Sequence, residues 1–181
     1  MLTIVTYGGV AIALALAIFL FFAARRPDTF SYERSLVIEA PPAQIFPLIA
    51  DPVAFNTWNP FNEDASIKGT YSGPPRGPGA RYTFESRRAG TGYTEILEEH
   101  APHHLVVRLF MSKPFACDNR VDFRLDPVAN GTRVTWAMSG PMTFMGKVMG
   151  QVIDCERMCG NQFVRGLGKL KSLVERQPVA A

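Results

Sequence analysis

The sequence predicts an α+β domain: a curved antiparallel sheet wrapped around a long C-terminal helix, with two short helices after the first strand and a separate N-terminal transmembrane helix. Three observations carry this. An uncharged apolar run opens the chain, short segments parted by Gly, Pro and Asn fill the middle, and a long amphipathic stretch closes it. At 181 residues the chain has room for one domain and an appendage.

No charged side chain occurs from Met1 to Ala24, and residues 4–24 are almost unbroken Leu, Ile, Val, Ala and Phe. As a helix rising about 1.5 Å per residue, that run spans a bilayer's hydrocarbon core of about 30 Å. A cleaved signal peptide is the rival reading. Against it, no Lys or Arg precedes the run, the run exceeds a usual h-region, and Arg25-Arg26 follows directly. The basic flank places the N-terminus outside and the domain on the cytoplasmic side. Residues 1–26 are thus read as anchor and basic flank, 27–29 as a linker, 30–176 as the domain and 177–181 as a flexible tail.

Phe30 to Glu39 reads as a strand, stopped by Pro41-Pro42. The second proline suits the first turn of a helix carrying Ile45, Phe46, Leu48 and Ile49. Asp51-Pro52 breaks that helix, and Val53 to Trp58 adds another turn before Asn59-Pro60. Six strands follow: 67–71, 80–88, 91–99, 105–112, 116–125 and 132–139. Gly73-Pro74-Pro75, Gly77-Pro78-Gly79, Ala89-Gly90 and Asn130-Gly131 supply the reversals, the last a strong hairpin signal. One helix is expected from Phe144 to Arg176, with Met145, Met149, Val152, Cys159, Phe163, Leu167, Leu170 and Val174 on its apolar face.

The 19 Lys and Arg exceed the 16 Asp and Glu by three, and Arg25 and Arg26 account for two of those charges. The remaining domain is nearly neutral and has no concentrated basic face, so no nucleic acid partner is expected. Cys117, Cys155 and Cys159 cannot all pair within one chain, which fits a reducing compartment.

Five segments, in order, resemble the START-like, or helix-grip, superfamily: SLVIEAPPAQIFPLIAD from Ser35, FNTWNPF from Phe55, TYSGPPRGPGARYTFE from Thr70, NGTRVTWAMSGPM from Asn130 and FVRGLGKLKSLVE from Phe163. The chain is most similar to the bacterial polyketide cyclase/dehydrase, or SRPBCC, branch, over about Phe30 to Glu175. The resemblance implies a cavity between sheet and long helix, commonly occupied by lipids or other apolar molecules, and location at a bacterial inner membrane. It does not by itself imply an enzyme.

Strand alternation shows what such a cavity would meet. Leu105, Val107, Leu109 and Met111 share one side of their strand; Cys117, Asn119, Val121, Phe123 and Leu125 share one side of the next. Thr132, Val134, Trp136 and Met138 continue that side. These inward sets hold no carboxylate, histidine or lysine, the usual proton-transfer groups. Asn119 and Thr132 are polar and suited to orienting a ligand's carbonyl or hydroxyl. Tyr82 and Phe84 are expected to point inward, and Trp58 to close one end. Met142, Phe144, Met145 and Met149 are placed near the entrance, where flexible methionines adapt to varied shapes. The expected ligand-binding set is Trp58, Tyr82, Phe84, Asn119, Trp136, Met138, Met145 and Met149. For any one apolar residue, simple core packing is the competing role.

Neither a cofactor nor a metal is expected. His100, His103 and His104 lie in a turn with Ala101-Pro102, and Cys155 and Cys159, one helical turn apart, lack a second ligand pair. A G-x-S-x-G elbow is absent, and no glycine-rich loop precedes a helix. The leading functional reading is membrane-tethered binding, sensing or transport of a hydrophobic small molecule or lipid. An alternative is a cyclase or aromatase using Glu95 and Glu156, with Asn119 and Tyr82 in support. A second is a non-catalytic membrane interaction protein presenting Arg87-Arg88 or the turn histidines.

Overall fold

The computed structural model describes residues 2–87 and 90–176. The Ala89-Gly90 turn lies partly outside these residues, as does the Arg87-Arg88 pair, and the tail at 177–181 lies wholly outside them.

Helix α1, Leu2–Ala24, is long and apolar enough to cross a membrane, and its side chains from Tyr7 on are mostly exposed. Strand β1 (Thr29–Ile38), helices α2 (Pro42–Ala50) and α3 (Pro52–Trp58) and a 3-10 turn (Pro60–Asn62) follow. The meander comprises β2 (Lys68–Ser72), β3 (Arg81–Ser86), β4 (Gly90–His100), β5 (His104–Lys113), β6 (Cys117–Val128) and β7 (Gly131–Pro141). All seven strands form one antiparallel sheet in the order β1-β7-β6-β5-β4-β3-β2, so the first strand closes against the last. Gly131, at φ 135°, makes the reversal that its Asn-Gly pair foretells.

The prolines of the α2–α3 junction determine where Trp58 sits. Pro52 has no N–H, so the Leu48 carbonyl one turn earlier lacks its helical donor. The Trp58 indole Nε1 donates to that carbonyl at 2.9 Å, and the side chain is fully buried. Asp51 caps α3 by accepting from the Val53 and Ala54 amides.

The expected single helix from Phe144 to Arg176 is two helices, α4 (Phe144–Met149) and α5 (Cys155–Glu175). Gly150 ends the first, and Asp154 starts the second by accepting from the Arg157 amide at 2.9 Å. The change of direction turns α4 toward α1 and leaves Val152 exposed, whereas α5 packs across the sheet. The buried stripe Phe163, Gly166, Leu167, Leu170 and Val174 follows the three- and four-residue spacing of a helix face. At Gly166 the backbone runs so close to the sheet that a Cβ would come within 2.7 Å of the Trp136 ring.

Candidate functional site

The concave face of the sheet, α3, the 3-10 turn and the first turns of α5 enclose a hollow of about 330 Å³. Ligand pockets start at about that size. Its wall has three parts. The aromatic end is Phe55, Phe61, Phe123, Trp136 and Phe163, with Trp136 stacked on Phe163 at 4.7 Å between centroids. The aliphatic and sulfur end comprises Val107, Leu109, Met111, Cys117, Met138 and Cys159. The third part is polar: Asn56, Asn59, Asn62 and Tyr82.

Five of the eight residues expected at the ligand lie on this wall: Tyr82, Phe84, Asn119, Trp136 and Met138. Three do not. Trp58 is held behind the wall by its bond to Leu48, in contact with Phe55, Phe123 and Trp136. Met145 and Met149 sit on α4, which the break at Gly150 carries away from the sheet, and both are exposed. Thr132 faces inward but is taken up in the core, its hydroxyl donating to the Ala40 carbonyl at 2.7 Å.

The asparagines of α3 and the 3-10 turn were not expected. Asn56, Asn59 and Asn62 recur every third residue in FNTWNPFN, spacing that puts them on one side of consecutive helical turns. Asn62 accepts from the Tyr82 hydroxyl at 2.8 Å, and Asn56 donates to the Tyr71 hydroxyl at 3.1 Å. Burial and the adjacent Tyr71 raise the Tyr82 pKa, outweighing the Asn62 bond, so Tyr82 remains a neutral donor.

Asn119 is 93 % buried, with Oδ1 making no hydrogen bond among the described residues. Its Nδ2 meets only weak acceptors, the sulfurs of Cys117 at 3.5 Å and Met138 at 4.0 Å. A buried amide so poorly paired costs about 1–3 kcal/mol. Oδ1 is packed against Gly140 of β7, where a Cβ would come within 2.2 Å of it.

Proton-transfer groups on the wall are few. Glu95 borders it from β4, but the register puts its side chain on the other face of the sheet, where its carboxylate is bound to Arg81 at 2.7 Å and Arg81 lies over the Tyr93 ring. Glu156 is remote, exposed and paired with Arg34. Burial raises the Cys159 thiol, with Cys155 adding to the effect; it also raises Cys117, against hydrogen bonds from Met111 and Asn119. Both thiols therefore stay protonated and poorly nucleophilic at neutral pH. His104 binds Asp122 at 2.9 Å and His103 approaches the Leu125 carbonyl, both away from the hollow. Among the described residues no three His, Cys, Asp or Glu side chains converge as a metal site would require.

The fold recurs in solved structures. Protein CV1439 from Chromobacterium violaceum is 18% identical with a TM-score of 0.58, covering 84% of this chain and 100% of its own. Protein MLL2253 from Mesorhizobium loti is 18% identical with a TM-score of 0.60, covering 83% and 99%. One chain of the Aha1 dimer from Colwellia psychrerythraea is 17% identical with a TM-score of 0.59, covering 81% and 97%. At these identities the likeness is one of fold. No curated protein matches the chain. The family model described as polyketide cyclase / dehydrase and lipid transport matches residues 29–175, the whole of the sheet and α5, and the chain belongs to that family.

Proposed function

We propose that the domain binds a compact hydrophobic molecule in the hollow and that α1 tethers it to a membrane. The observation that carries this reading is a wall of aromatic, aliphatic and sulfur side chains around about 330 Å³ of space. Its polar groups are arranged to hold rather than to react. Tyr82, the asparagines and Asn119 offer neutral donors and acceptors, and the Glu95 carboxylate lies on the sheet's other face, bound to Arg81. That volume lies at the small end of ligand pockets, which suits a compact apolar molecule such as a single acyl chain or a small ring system. Arg25 and Arg26 support a cytoplasmic domain with the N-terminus outside. Beside its membrane source, the hollow would meet ligand at high effective concentration.

Extraction and mass analysis of whatever accompanies the full chain, purified in detergent, tests the proposal. A compact apolar molecule present near one per chain is expected. A chain that carries nothing, and takes up no single-chain alcohol or aromatic probe added to it, would overturn the reading.

A further inference from the structure

We propose that the segment from Phe144 to Ile153 is a second membrane contact, lying in the bilayer interface beside α1 and seating the domain on the membrane surface. This rests on reading α1 as a membrane anchor. The segment exposes Phe144, Met145, Met149, Val152 and Ile153, and Val152 is 78% exposed. So many large apolar side chains bared within ten residues mark a docking surface rather than ordinary exterior.

The contacts with α1 identify what covers it. Gln151 Nε2 donates to the Phe19 carbonyl at 3.0 Å, and α4 packs on the end of α1, where Ala23 is fully buried. Phe19 lies five residues before the end of α1, about 8 Å along the helix axis. In-plane apolar segments sink about 5–10 Å into the headgroup and acyl boundary, so Gln151 sits at that depth if α1 spans. Lys147 is 93% buried and bound to Asp28 at 2.5 Å, which fixes α4 to the linker. The Arg26 guanidinium lies against Gly150, where a Cβ would meet Nη1 at 2.5 Å. Arg25 and Arg26 add positive charge at the level of anionic headgroups.

The sheet register agrees. Thr29, the first residue of β1, pairs with Pro141, and the β5–β6 turn lies at the same end of the sheet. That turn exposes Phe115 at 59%. The end of the domain nearest α1 thus carries apolar tips from two separate segments.

Photo-cross-linking of the native full chain tests this. The chain would be placed in phosphatidylcholine and phosphatidylglycerol vesicles containing a phospholipid with a diazirine near the headgroup end of its acyl chain, and adducts mapped by peptide mass spectrometry. Adducts are expected on α1 and on 144–153, and none around Leu97, which is exposed at the far end of β4. Adducts on α1 and at 97–100 but not 144–153, or on α1 alone, overturn the proposal and leave the anchor intact. Absence of adducts on α1 overturns the anchor reading. Adducts on α1 and cavity-wall residues, with 144–153 clean, would support ligand entry while ending the idea of a second contact.

Discussion

The two faces of the sheet share every strand and differ completely in chemistry. On the concave side Val107, Leu109, Val121, Phe123, Trp136 and Met138 line the hollow. On the convex side, in the same strands, Arg108 pairs with Asp118, Arg120 with Asp122, and Arg124 with Glu33. Alternation with period two is sufficient to separate them. The lesson is that charge is abundant in this domain but is kept off the face that encloses the hollow, where a largely apolar wall would make its desolvation costly.

Moving a charge across the sheet breaks the contrast most severely. Val121→Asp places a carboxylate among apolar wall residues, and a cost of about 3–5 kcal/mol is expected. Urea denaturation of the detergent-solubilised full chain measures it; a loss of less than about 1 kcal/mol would mean the wall is already wet. Gly166→Ala probes how tightly α5 closes the concave side. The added methyl must push on Trp136 and Pro60, at a cost of about 1–3 kcal/mol by the same assay.

Asn119→Leu sharpens the comparison because its two effects have opposite signs. Removing a buried amide that lacks good partners should raise the stability of the empty protein by about 1 kcal/mol. It should also weaken binding of a hydroxyl- or amide-bearing ligand while leaving a pure hydrocarbon unaffected. Stability and ligand titrations falling together would show that Asn119 is structural.

Much of this division was legible in the sequence, because strand alternation needs only the order of residues. Leu105 to Met111, Cys117 to Leu125 and Thr132 to Met138 fall on the faces their parity assigns. What parity could not give was the use to which a side chain is put. Thr132 points inward yet serves Ala40, and Trp58 is drawn behind the wall by a carbonyl that Pro52 leaves free. Met145 and Met149, expected near the entrance, lie off the wall for another reason. Apolar spacing runs on through 144–175, but Gly150 and the Asp154 cap redirect the chain. The Asn56, Asn59, Asn62 repeat was visible but carried no meaning until β3 brought Tyr82 against it.

The smallest expected effects lie on the convex side. Burial alone would raise the Asp122 carboxyl, but Arg120 and His104 more than compensate and hold it below its ordinary value. Its contribution is present above the unfolded-state value of about 3.9 and is lost as pH falls through the lower folded value. Asp122→Asn should therefore flatten the acid limb of the stability curve below about pH 4, while the wild type loses stability there. Removing the exposed Arg108–Asp118 pair by Asp118→Asn should change stability least of all, and less still as salt rises.

The central claim is that the concave hollow holds a ligand, and filling it is the most direct trial. Leu109→Trp, which builds a ring into the aliphatic end, can be compared with the wild-type full chain by native mass spectrometry after release from detergent. The expected result is a bound apolar mass on the wild type and none on the folded variant. Equal occupancy of the two, or an empty wild type, would contradict the account.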